Sequence, residues 1–200
     1  YYGLREHPFQ MTPDARLFFP STVHSRAYAN LLYGLAQHEG FIVVTGEVGA
    51  GKTTLIERLC AELAQQNHAV ARVMTTQVEA DDLLRLVAVA FGASPAGNKA
   101  ELLRGIVAKL WEGISERGQR HVLIVDEAQA LPVGALEELR MLSNVTEGQQ
   151  ALLQVILMGQ PQLRRTLARH DLDQLRQRII AAYHLGGLTR EETHAYVQHR

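Results

Sequence analysis

Gly46-Glu47-Val48-Gly49-Ala50-Gly51-Lys52-Thr53-Thr54 is the stretch whose reading decides the fold of this chain. It fits G-x-x-x-x-G-K-[ST], the Walker A pattern of a loop that cradles a polyphosphate. Its three glycines let the backbone turn tightly and bring its N–H groups close to the anion. A helix that starts at the loop's end adds unpaired donors and the positive end of its dipole. Lys52 would then reach the terminal phosphates, and the Thr53 hydroxyl would ligate Mg²⁺. The pattern requires a strand before it and a helix after it. Phe41-Ile42-Val43-Val44-Thr45 is a β-branched run ending at Gly46, and Leu55, Ile56, Leu59, Cys60 and Leu63 recur at helical spacing. A chance glycine-rich turn would have neither flank. The whole stretch Gly46 to Thr54 is therefore the candidate nucleotide-binding loop. Glu47 is its odd member, because a carboxylate inside an anion cradle should face solvent or a partner.

A second motif stands about seventy residues on. His121-Val122-Leu123-Ile124-Val125-Asp126-Glu127-Ala128-Gln129 is an apolar run ending in two carboxylates. Continuous apolarity indicates a strand buried on both faces, as in a parallel sheet, and ligands bind at the carboxyl edge of such sheets. Asp126 then lies beside Thr53 and holds Mg²⁺ through water. Glu127 orients or deprotonates a water for attack on the γ-phosphate. Read alone the two carboxylates suit a solvated turn; the Gly46–Thr54 loop tips the reading to a Walker B strand. A third apolar run, residues 151–158, ends at Gly159-Gln160-Pro161, where Gln160 can touch the γ-phosphate or the attacking water. The chain then turns basic, with Arg164, Arg165, Arg169, Arg176 and Arg178. A solvated helical face is the ordinary reading of such charge; the sharper one presents Arg176 or Arg178 to a neighbouring subunit's nucleotide as an arginine finger.

The 200 residues suffice for one α/β domain, and a net charge of −1 disfavours a globally basic nucleic-acid binder. One cysteine, Cys60, excludes an internal disulfide and reads as a structural thiol in a reducing compartment. No apolar run approaches the ~18 residues that span a bilayer. Residues 1–23, rich in aromatics and proline, read as an N-terminal strap, and its part near Phe9 to Asp14 is a candidate wall for an adenine pocket. Residues 24–186 hold the core. Helices are expected over 24–38, 80–91, 99–117 and 133–143, and strands at 69–74 and 179–185. Trp111 is expected in the core, Glu138 on the outer face of its helix, and Thr75-Thr76 either near the nucleotide or at a plain strand exit. Gly186-Gly187 reads as a hinge, with residues 187–200 opening a truncated helical lid whose start, Thr189 to Glu192, has capping-box character.

This order of motifs looks like the AAA+ branch of P-loop ATPases. It most resembles the ExeA/general secretion pathway protein A-like family, with the related ATPases of exosortase-linked loci. The residues that carry the resemblance are Tyr2 to Phe9 with Pro13-Asp14, Tyr33-Gly34-Leu35, Gly40-Phe41, Gly46 to Thr54, Asp126 to Gln129, Gly159 to Leu163 and Leu175 to Ile179. The resemblance implies a three-layer αβα domain with a parallel five-stranded sheet, ATP/ADP and Mg²⁺ as ligands, and self-association as a ring or dimer. It carries Lys52 and Thr53 to phosphate and Mg²⁺ binding, Asp126 to Mg²⁺, Glu127 to catalysis, Gln160 to a sensor role and Arg176 or Arg178 to the finger. It further implies an ATPase that drives or switches assembly of an envelope export machine, in contact with envelope or membrane assembly proteins. Such a domain would be cytoplasmic, with attachment to the inner membrane through a segment outside this chain. The rival reading is a nucleotide-dependent DNA-binding scaffold such as a transposition ATPase, which the arginines of 164–178 permit. A small-molecule kinase fits less well, because Glu127 activates water rather than a bound acceptor.

Overall fold

The computed structural model describes residues 19–74, 79–148 and 150–199. In chain order the elements are α1 (Thr22–Leu35), β1 (Phe41–Gly46), α2 (Lys52–Gln65), β2 (His68–Met74), α3 (Ala80–Ala90) and α4 (Lys99–Arg117). Then come β3 (Arg120–Asp126), α5 (Val133–Ser143), the short pair β4 (Thr146–Glu147) and β5 (Gln150–Ala151), β6 (Leu153–Gly159), α6 (Gln162–Leu167), α7 (Asp173–Arg176), β7 (Ile179–Leu185) and α8 (Arg190–His199). Five strands form one parallel sheet in the order β2-β3-β6-β1-β7. The chain is thus an α/β protein with helices flanking a five-stranded parallel sheet.

The apolar runs explain this arrangement. β1 and β6 are buried at every position, and β3 at all but Arg120. Alternate side chains leave each strand on opposite faces. Phe41, Val43, Leu123, Val125, Val155 and Leu157 face a core completed by α3, α4 and α5. Ile42, Val44, Val122, Ile124, Ile156 and Met158 face a second core completed by α1 and α2. Register then brings the strand ends to a common edge: Val44 lies opposite Met158, and Val125 opposite Leu157.

Local signals set the helix bounds. Asn98 accepts from Glu101 N while Glu101 caps Asn98 N, a closed capping box, and Gly118 ends α4 in the left-handed region. Ser21 caps α1. The expected bounds of α4 and α5 match the structure, and α1 stops three residues early at Leu35.

Two side chains lie where the sequence reading did not put them. Trp111 is 50% exposed rather than in the core. The buried stripe of α4 is Leu102, Ile106, Leu110 and Gly113, and Trp111 sits one residue, about 100° of helix, beyond it. Glu138 is buried rather than outward: it shares the Ala135–Leu142 face of α5 and ion-pairs with Lys99 at the start of α4. Between α5 and β6 the chain makes the short antiparallel β4–β5 pair. The adenine-wall residues Phe9 to Asp14, the rest of 1–18 and Thr75-Thr76 lie outside the described residues.

Leu110→Ala should lower stability by about 2–5 kcal/mol, because it opens a cavity under α4. Trp111→Ala, one position away, should lower it by about 1 kcal/mol or less. Urea unfolding of both variants checks the contrast.

Candidate functional site

The Gly46–Thr54 loop lies between the end of β1 and the first turn of α2. Gly51 caps α2 with φ 85°, a conformation that other residues adopt at a penalty. Lys52 is 8% exposed, and its Nζ donates to Gly46 O (2.7 Å) and Glu47 O (2.9 Å). Those bonds use two of the three ammonium protons and hold the charge inside the loop. Glu47 therefore contributes a carbonyl to the cradle while its side chain, like that of Val48, is exposed.

Asp126 ends β3 at 5% exposure. One carboxylate oxygen accepts from Glu127 N (3.0 Å) and the other from Arg72 Nη2 (2.8 Å). Arg72, on β2, also reaches Glu57 of α2 at 2.5 Å, so one guanidinium ties the strand end to the helix behind the loop. Its pKa is raised: burial lowers it, but hydrogen bonds and charge from Asp126 and Glu57 outweigh that. Glu127 has φ 55° and ψ 34°, an uncommon backbone state for a non-glycine residue. Its side chain accepts from Gln129 Nε2 (2.5 Å) and from Gln160 Nε2 (3.4 Å). Gln129 Oε1 in turn accepts from Gln160 N (2.9 Å), so Gln129 links the ends of β3 and β6.

Arg176 and Arg178 lie elsewhere. Both are exposed, Arg176 at the end of α7 and Arg178 just before β7, where Arg178 O accepts from Phe41 N, the first residue of β1. β1 separates them from the loop at Gly46 by roughly 17 Å at ~3.3 Å per residue. Arg176 pairs with Asp173 at 2.7 Å.

A cavity of about 200 Å³ opens beside the loop, with Phe19, His24, Ala50, Thr54, Gly186 and Tyr196 among its walls. α8 closes one side. Phe19 meets Tyr196 edge-on at 5.8 Å, and Glu192 Oε1 accepts from Thr22 N (2.8 Å). The other oxygen of Glu192 accepts from Thr189 N while Thr189 Oγ1 accepts from Glu192 N, which realises the expected capping box. His24 Nε2 is 3.1 Å from Ala50 O.

The structure puts Lys52 and Thr53 in the first turn of α2, after β1, and Asp126, Glu127 and Gln160 at the carboxyl ends of β3 and β6, where it brings Glu127 and Gln160 together. Sequence reasoning gave no role to Arg72, Gln129 or His24. Arg72 carried a signal, being a charge inside the apolar run Ala69 to Val73. Gln129 and His24 carried none that periodicity can read. Among the described residues no helix is long and apolar enough to cross a membrane.

Residues 35–167 match the AAA domain family. The whole chain is 39% identical to General secretion pathway protein A of Aeromonas hydrophila, and spans 37% of that protein's length. Solved structures with the same fold include the ORC2 protein of Aeropyrum pernix (18% identity, TM-score 0.65, 93% of this chain and 55% of that one). Another is Cdc6p of Pyrobaculum aerophilum (15% identity, TM-score 0.67, 93% and 52%).

The backbone N–H groups of Thr189 and Thr22 hold the Glu192 carboxyl below its ordinary pKa. A carboxyl lowered on folding adds stability above its unfolded pKa and loses it as pH falls through the folded value. Glu192→Gln should therefore lower the melting temperature slightly at pH 7, and the difference from the parent should shrink below about pH 4.

Proposed function

The chain belongs to the AAA domain family, and from that premise we propose that it binds ATP on the Gly46–Thr54 loop and hydrolyses it to ADP and phosphate. The observation that carries the reading is Glu127, a carboxylate at the sheet edge held by the amides of Gln129 and Gln160. A general base must be fixed where a water can meet it, and the Gln160 amide beside it senses the γ-phosphate or the same water in this reading. Lys52 supplies its remaining proton and its charge to the terminal phosphates. The Thr53 hydroxyl and the Asp126 carboxylate are the hard oxygen donors that suit Mg²⁺, whose charge would offset that of the β- and γ-phosphate oxygens. The cavity beside the loop, walled by Phe19 and Tyr196, suits the base and ribose.

Residues 24–186 form the ATPase core in this reading, and residues 187–200 begin a lid. Arg176 and Arg178 sit too far from their own loop to serve it, so one of them completes the site of a neighbouring copy. The 39% identity to General secretion pathway protein A supports work on assembly of a bacterial envelope secretion machine, with partners among envelope proteins. That work falls on the cytoplasmic side of the inner membrane, where ATP is supplied.

Lys52→Ala should abolish binding of a fluorescent ATP analogue. Glu127→Gln should bind it as the parent does and hydrolyse ATP at least ~100-fold more slowly; turnover at the parental rate would remove Glu127 as the base. Arg176→Ala and Arg178→Ala should both bind ATP, with one losing turnover and regaining it when mixed with Lys52→Ala subunits. Full hydrolysis by a monomer would sink the shared site. ATP-dependent, salt-sensitive binding to duplex DNA, which this reading does not expect, would point to a DNA scaffold instead.

A further inference from the structure

Resting on the reading that the Gly46–Thr54 loop binds ATP, we propose that His24 is a positioning residue for that loop. Its ring fixes the Ala50–Gly51 peptide and so sets the direction in which the Gly51 N–H meets the phosphates.

The geometry begins at the start of α1. Ser21 Oγ accepts from His24 N (3.2 Å) and lies 2.7 Å from His24 Nδ1. On the other side of the ring, Nε2 lies 3.1 Å from Ala50 O. A carbonyl only accepts, so Nε2 carries the proton in that bond. Nδ1 then takes the proton of the Ser21 hydroxyl, and the ring is the neutral tautomer with both nitrogens engaged. Burial favours the same state, lowering the His24 pKa against the opposing pull of Ala50 O and Glu192.

A trans peptide is planar, with its C=O and N–H pointing opposite ways. Holding Ala50 O against α1 therefore turns the Gly51 N–H away from α1. The ring also leaves no room for a side chain at the turn: a Cβ on Gly51 would sit 2.4 Å from Nε2. Gly51 is thus confined twice, by its φ of 85° and by the imidazole. The brace comes from a separate element, twenty-six residues before the carbonyl it holds.

The test uses the whole chain and a fluorescent ATP analogue with Mg²⁺. His24→Gln sets an amide nitrogen at the position of Nε2 and keeps the donor to Ala50 O. His24→Asn sets one at the position of Nδ1, which reaches Ser21 and not the loop. The Gln variant should bind within about threefold of the parent, and the Asn and Ala variants about tenfold more weakly, the loss of one half-buried hydrogen bond. Melting temperatures without nucleotide should stay within a few degrees, and if the Ala variant fails to fold, the Gln and Asn pair decides. A Gln variant as weak as Ala, or an Asn variant as tight as Gln, overturns the role of His24 alone. A parent that does not bind the analogue removes the ATP reading itself.

Discussion

β1, β3 and β6 run parallel with helices on both faces, so none of them can turn back within the sheet and all three end at the same edge. Every polar group that the chain attaches to those ends is delivered to one place. Gly46, Asp126 and Gln160, far apart in sequence, meet for that reason alone. The same burial makes the edge demanding. A carboxylate as enclosed as Asp126 needs compensation, and Arg72 and the Glu127 N–H provide it. Removing one partner of such a half-buried pair costs about 1–3 kcal/mol. Arg72 thus belongs to the stability of the fold as much as to the arrangement of the edge.

The loop and the strand ends were legible because their signals are local. Glycine spacing, a β-branched run and a helical repeat lie within twenty residues of Lys52. The family resemblance drew also on stretches farther off, Tyr2 to Phe9, Gly159 to Leu163 and Leu175 to Ile179. His24 was not legible: a histidine at a helix start has no pattern that names its partner, and Ala50 becomes its partner only through the packing of α1 on α2. Gln129 is similar, since its contact with Gln160 exists only once β3 and β6 are paired. Trp111 and Glu138 failed for a narrower reason. A helical stripe read by eye is about one residue wide in uncertainty, and each of these sits one residue from the boundary between core and surface.

The edge is built in two tiers. Backbone groups of the loop and strand ends form the front, and side chains behind them hold those groups in place. Lys52 ties Gly46 O to Glu47 O, His24 ties Ala50 O to α1, and Gln129 ties Gln160 N to the turn after β3. Each of these bonds restrains a backbone unit that would otherwise have several orientations. Glu127, in its left-handed conformation, is the position where such restraint matters most, because the bond from its own N–H to Asp126 helps to hold an uncommon backbone state.

Trp111 is the chain's single tryptophan, and it sits half-exposed on α4, whose core lies on the opposite face of the sheet from α1 and α2. Intrinsic fluorescence at the red end therefore comes from one indole in a mixed solvent-and-protein environment. The sheet lies between α4 and α2, the helix that the Gly46–Thr54 loop opens. The emission of the indole reports unfolding, and a blue shift in the folded protein reports something laid over α4.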